Sequence, residues 1–289
     1  MLSPEIRDRV LGYQKDEVTE YHIYRQLAQA VGEGENRTVL ERIAADELRH
    51  ARTFQGYTGQ EVGPDRRKVW WYYWIARVLG LTFGIKLMER GEASAQTQYA
   101  SLTEFVPEAA AIAHDEDVHE TALIGMLDEE RLRYTGSMVL GLNDALVELT
   151  GALAGFTLAL QNARLIALTG TITGIAAAFS MAASEYLSTR SEAGDKDPIK
   201  SALYTGSAYL LTVVVLVLPF ILLPNYYVSL GLALVSAVLI IAAFNYYIAV
   251  AKDEDFRKRF VEMAGVSLGV AALSFLVGFV ARALLGVEL

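Results

Sequence analysis

From Ser201 to Ala251 the chain runs for 51 residues without a charged side chain. A helix needs about 20 mostly apolar residues to cross a bilayer, so this run has room for two crossings. Pro219, Pro224 and Asn225 interrupt it near its middle, which divides it into spans near 202–223 and 228–250. The same length test finds spans near 165–187 and 262–285, and one near 137–160 that is apolar except for Asp144 and Glu148. The helices of a soluble core keep a polar face, and runs of this length have none. The sequence therefore predicts five membrane spans.

The remainder differs in kind. Residues 1–135 carry 16 Lys and Arg against 23 Asp and Glu, a net charge of −7, together with all four histidines. Residues 136–289 carry 9 and 11, a net charge of −2. The mean hydropathy of +0.29 thus averages two unlike parts: an acidic, helical, soluble domain at 1–135 and a membrane domain at 136–289. The acidic balance offers no basic face to phosphates and argues against a nucleic-acid partner. The chain has no cysteine, which excludes disulfides, thiolate metal sites and cysteine nucleophiles.

Lys and Arg flanking the spans set the orientation. Nine of them (Arg131, Arg133, Arg190, Lys196, Lys200, Lys252, Arg257, Lys258 and Arg259) fall on one side, against Arg164 and Arg282 on the other. That asymmetry predicts a cytoplasmic N-terminal domain, and the compact length favours a multi-pass protein of the plasma membrane. Residues 1–20 lack the apolar core of a signal peptide. Val69–Met88 is nearly span-length and rich in aromatics, but it carries Arg77 and Lys86 and runs into Glu89 and Glu92. It reads as a helix of the soluble domain with its aromatic end against the membrane interface, where Trp and Tyr are favoured.

The chemistry of the soluble domain lies in a doubled E-x-x-H: Glu47-Leu-Arg-His50 and Glu116-Asp-Val-His119. Residues i and i+3 share a helix face, so each pair can serve one metal centre. Glu17 and Glu20 on the first helix and Glu89 and Glu92 on the third repeat the i, i+3 spacing. Glu20 to Glu89, Glu47 to Glu116 and His50 to His119 are each separated by 69 residues, as expected of two similar helical hairpins related by a pseudo-twofold. One Glu from each of two helices and Glu-x-x-His from each of the other two is the ligand recipe of a di-iron four-helix bundle. Oxygen and imidazole donors suit Fe²⁺ and Mn²⁺. His22 and His114 do not fit the pattern.

Residues 1–135 resemble the ferritin-like, rubrerythrin-type domain. Tyr24 and Tyr99 stand seven residues after Glu17 and Glu92. The resemblance favours those two glutamates as direct ligands, whereas the 69-residue offset pairs Glu20 with Glu89. All four stay candidates. The cysteine-based rubredoxin-like module of full rubrerythrins is missing, and with it the built-in electron donor of a peroxidase.

Within the spans, Asp144 and Glu148 lie one turn apart on one face, Glu185 lies four residues after Met181, and Glu262 opens the last span. Carboxylates at membrane depth are costly and mark ion pathways. Hard oxygens with one thioether suit a transition divalent, and a carboxylate that binds a cation also exchanges protons. GLNDALVELTGALAGF (141–156) and GTITGIAAAFSMAASEYLS (170–188) resemble the first two spans of the vacuolar iron transporter family. Asp144, Met181 and Glu185 match that family's pore positions, with Glu148 beside them. The resemblance extends over 137–289, including a proline in the third span (Pro219). The family's eukaryotic members carry a glutamate-rich insert between spans two and three; Thr189–Lys200 is too short for it, and the ferritin-like domain would take its place.

The whole chain resembles the membrane-bound ferritin, or erythrin–vacuolar iron transporter, family. The fold expected is all-α, a ferritin-like four-helix bundle followed by a five-helix transmembrane domain. The resemblance implies a homodimer, a di-iron site that could also take manganese, and export of Fe²⁺ or Mn²⁺ from the cytoplasm by proton antiport. The alternative is a membrane-anchored ferroxidase or peroxide-consuming oxidase, with the activity in the N-terminal domain. A storage or sensor protein without transport ranks last.

Overall fold

The computed structural model describes residues 2–88, 90, 102–125, 134–192, 194, 196–252 and 254–285. Among them every regular element is helical. The chain divides into two compact units, Met1–Glu129 and Glu130–Leu289.

In the first unit α1 (Pro4–Ala30) and α2 (Glu35–Thr58) form an antiparallel hairpin. Ser3 Oγ caps α1 by accepting from Ile6 N at 3.3 Å, with Pro4 in the first turn. Gly59 ends α2 at φ 64°, a left-handed conformation that costs glycine little. Arg7 Nη2 donates to Thr58 O at 2.9 Å and Gln14 Nε2 to Gln60 O at 2.8 Å, tying the start of α1 to the end of α2. α3 (Arg66–Leu79) starts at Asp65, whose carboxylate accepts from the backbone of Arg67 and Lys68. It stops at Gly80 (φ 110°). Its 14 residues rise about 21 Å, short of the ~30 Å hydrocarbon core, so α3 is not a span. A further helical stretch covers 81–88, and α4 covers Ala109–Gly125.

Two apolar clusters hold the unit together. Ile23, Leu27, Leu40 and Ile43 meet Val69, Ile85, Met88 and Leu123 in one. Val10, Phe54, Leu102 and Ile112 form the other. α1, α2, 81–88 and α4 thus all contribute to a shared core. Glu89, Glu92 and Tyr99 lie outside the described residues.

The second unit is built of α5 (Thr135–Leu160), α6 (Ala163–Ser191), α7 (Pro198–Leu222), α8 (Tyr226–Lys252) and α9 (Phe256–Leu285). Each is long and apolar enough to cross a membrane, and the chain is a multi-pass membrane protein. Each helix starts before its expected limit, most of all α9, which begins at Phe256 rather than at 262. The apolar length reads only the bilayer crossing; charged residues such as Arg257–Arg259 continue the helix beyond it.

α5 packs against α6, α7, α8 and α9. Small residues bring the backbones close, as membrane packing requires. A Cβ on Gly278 would collide with Gly155 O, and one on Gly141 with Thr205 O. The core between the helices includes Leu146, Leu149, Leu153, Tyr209, Leu216 and Ile241.

Candidate functional site

α1, α2 and α4 bring Glu17, Glu47, His50 and Glu116 together, each with a ligand atom within 4.8 Å of the others. His50 Nδ1 lies 3.4 Å from Glu17 Oε2, 3.5 Å from Glu47 Oε2 and 3.3 Å from Glu116 Oε1. His119 Nδ1 faces the opposite oxygens, 3.2 Å from Glu47 Oε1 and 3.6 Å from Glu116 Oε2. Both carboxylates therefore turn one oxygen toward each imidazole, and the two rings lie 6.0 Å apart. The i, i+3 spacing explains this: one helix face presents the carboxylate and the imidazole of each motif inward.

The cluster fits a metal on its own evidence. Glu47 Oε2, His50 Nδ1, Glu116 Oε1 and His119 Nδ1 are buried and lack a hydrogen-bond partner among the described residues. Buried polar atoms of native proteins are almost always satisfied, and these face one another across the cluster. The side chains of Glu17, Glu47 and His50 are 2% exposed or less.

Two ligand-orienting residues went unread in the sequence. His50 Nε2 donates to Asp115 Oδ2 at 3.1 Å, and His119 Nε2 to Asp46 Oδ2 at 3.2 Å. Each aspartate directly precedes the glutamate of the other motif, so the repeat is D-E-x-x-H and the bracing is crossed. Such carboxylate–imidazole pairs fix the ring and make the inner nitrogen a better donor. Arg49 joins the two aspartates, bonding Asp46 Oδ1 and, at 2.8 Å, Asp115 Oδ2. Asp46→Asn or Asp115→Asn is expected to weaken metal binding roughly 10- to 100-fold with the fold intact. Competitive metal titration of each variant checks this.

The metal-free electrostatics show what a cation would replace. Burial pushes Glu17 well above the usual carboxylate range, with His50 only partly opposing it. Burial would also raise Glu47, but the facing imidazoles of His119 and His50 outweigh it and hold it down at about 2. Burial would lower both histidines, yet the facing carboxylates outweigh it and raise His50 to about 12 and His119 to about 10. Without metal, the facing carboxylates thus favour the protonated form of both rings. Metal and protons compete for the same nitrogens, so affinity rises with pH across the neutral range. Loading is expected to release about two protons from the histidines, measurable by titration of the full chain in weak buffer.

Glu20, one turn beyond Glu17, is half-buried, lies outside this group and is felt by Lys68. His22 is half-buried against Tyr21, and His114 is exposed.

In the membrane unit, Ser137 Oγ of α5 donates to Glu185 Oε1 of α6 at 2.6 Å, while Thr205 Oγ1 of α7 donates to Ser137 O at 2.9 Å. Seven residues along α5 stands Asp144, half-buried, and one turn further Glu148. Glu148 is exposed, with its Oε2 accepting from the hydroxyl of the fully buried Tyr209 at 2.9 Å. Met181 is half-buried at the edge of the core. These groups are strung along α5 and α6; among the described residues of this unit no three carboxylates or imidazoles share one cation-sized space. Ser137 and Tyr209 are uncharged, and only the tertiary fold gives them a role. Glu262 lies on a separate cavity of ≈360 Å³ with Asn143, Asn245, Arg259 and Met263.

Residues 135–195, which cover α5 and α6, match the family model described as the VIT family. No curated protein matches the sequence. With five apolar helices, the match marks a VIT-type membrane domain.

Proposed function

We propose that the chain is a transporter that moves Fe²⁺ or Mn²⁺ out of the cytoplasm in exchange for protons, and that residues 1–135 are a ferritin-like domain that binds the metal and delivers or senses it. The observation that carries this reading is the pairing, in one chain, of a VIT-type membrane domain with a buried Glu/His cluster. The VIT family model itself points to a membrane metal transporter.

Glu47 and Glu116, each with one oxygen toward His50 and the other toward His119, would hold the metal together with the two imidazoles. Glu17 would complete the donor set beside His50; Glu89 and Glu92, outside the described residues, stay candidate ligands by their spacing in the sequence. Iron held there would supply one-electron chemistry toward oxygen. Asp115 and Asp46 hold the two rings at Nε2 and keep Nδ1 aimed inward.

In the spans the cation is the cargo. Asp144, Glu148 and Glu185 supply carboxylate oxygens along α5 and α6, and Met181 supplies a thioether that favours a transition divalent over Na⁺ or K⁺. A carboxylate that releases the cation is free to take a proton, which gives antiport its physical basis. Ser137 and Tyr209 orient Glu185 and Glu148. Glu148 is exposed on a helix that lies in the bilayer. A carboxylate facing lipid is expensive, so a second copy covering this face in a homodimer is the arrangement we favour. We place the first domain in the cytoplasm, the side favoured by the Lys and Arg asymmetry, and the chain in the plasma membrane.

A membrane-anchored ferroxidase would use the same cluster, but an anchor has no need of acidic side chains braced inside its spans. Cells expressing the chain are expected to hold several-fold less cytoplasmic iron under Fe²⁺ load than cells expressing Glu185→Ala. Unchanged iron content would contradict export.

A further inference from the structure

All three tryptophans of the chain lie on α3. Trp70, Trp71 and Trp74 are 60%, 57% and 49% exposed. At about 100° per residue they fall in one arc centred near Arg67, and the buried pair Val69 and Ala76 falls on the opposite side. α3 thus rests on α1 by a narrow stripe and turns its largest aromatic side chains away from the rest of its unit. Clustered exposed aromatics of this size mark an interaction surface.

Charge indicates what covers it. α3 carries Arg66, Arg67, Lys68 and Arg77 and no acidic residue, in a domain of net charge −7. Lys68 Nζ donates to Asp16 Oδ1 at 3.0 Å, and Arg77 Nη1 to Ala30 O at 3.3 Å. The guanidinium groups of Arg66 and Arg67 are exposed and have no hydrogen bond or ion pair among the described residues. With Trp70 and Trp71 they line a shallow hollow of ≈740 Å³. Indole rings partition to the headgroup layer, and basic side chains beside them attract anionic lipid. The five spans fix a bilayer to the same polypeptide, so this surface meets a membrane at high effective concentration.

We infer that α3 is a membrane-surface element: Trp70, Trp71 and Trp74 enter the headgroup layer, and Arg66 and Arg67 bind the phosphates of anionic phospholipids. It gives the acidic domain an attachment to the bilayer besides the chain that leads into α5. This holds whatever the spans carry.

The tryptophans report on α3 alone, so emission from the full-length protein in vesicles reads it directly, with excitation at the red edge where tyrosine does not absorb. In vesicles containing phosphatidylglycerol the emission is expected to be blue-shifted, strongly quenched by brominated lipid and shielded from aqueous iodide. Arg66→Glu/Arg67→Glu is expected to lower the ratio of lipid-embedded to water-exposed α3 roughly tenfold or more. Pure phosphatidylcholine should act in the same direction on the unmodified protein. Emission as red as that of a free indole, quenched by iodide and not by bromolipid, would overturn the inference. So would a blue shift that bromolipid does not quench and that weakens on dilution of the protein in lipid, which would assign the face to a second copy of the chain.

Discussion

Replacing Glu47 and Glu116 together by alanine is expected to empty the metal cluster. Each of these carboxylates faces both imidazoles, with oxygens 3.2–3.6 Å from His50 Nδ1 and His119 Nδ1. The double change therefore removes donors from both halves of the site at once. Losing a residue that only braces a ligand costs about 10- to 100-fold in affinity; losing two carboxylates that would hold the metal should exceed that, and bound metal should fall to background. The histidines would then be buried without their counter-charges, which destabilises the metal-free bundle. Glu47→Gln/Glu116→Gln keeps the volume and separates loss of ligands from loss of fold. Metal analysis of purified protein, with helix content from circular dichroism, reads both. Two metal ions per chain retained by a folded variant would remove the cluster from the account.

Asp144→Ala and Glu185→Ala are each expected to reduce Fe²⁺ flux through the full-length protein to the level of empty liposomes. Glu185 is the better anchored, through the 2.6 Å hydrogen bond from Ser137. Ser137→Ala should leave the carboxylate in place but lose a charge-assisted bond worth about 1.5–3 kcal/mol, enough to shift cation occupancy roughly 10- to 100-fold. A graded series, with Ser137→Ala between wild type and Glu185→Ala, is the signature of a positioning role. Wild-type flux in both carboxylate variants would place the pathway elsewhere.

Much of this was legible in the sequence because two periodicities are hard to disguise. The uncharged run Ser201–Ala251 yields two of the helices, and bilayer length recovers the other three. The 69-residue offset between the E-x-x-H pairs pointed to the cluster that α2 and α4 bring together with α1. Spacing alone did not choose between Glu17 and Glu20, because both lie within a turn on α1. The choice rests on which face packs inward, and that is set by neighbours such as Tyr13, Gln14 and Tyr24. Asp46 and Asp115 share the same 69-residue offset, and that signal was present but masked by the acidity of the domain. Tyr209 is 61 positions from Glu148, and no local pattern links them. The end of α3 at Gly80 depends on a positive φ that composition does not reveal, which is why Val69–Met88 resembled a span.

The central claim is that this chain carries a divalent metal through its membrane unit in exchange for protons. The most direct measurement is flux by the purified full-length protein in proteoliposomes, following Fe²⁺ with a metal-sensitive dye and lumenal pH with a second probe. The account predicts Fe²⁺ movement from the side bearing the N-terminal domain, with protons moving the opposite way, and loss of both signals in Glu185→Ala. Metal binding to the protein with no Fe²⁺ crossing the membrane in either direction would contradict it.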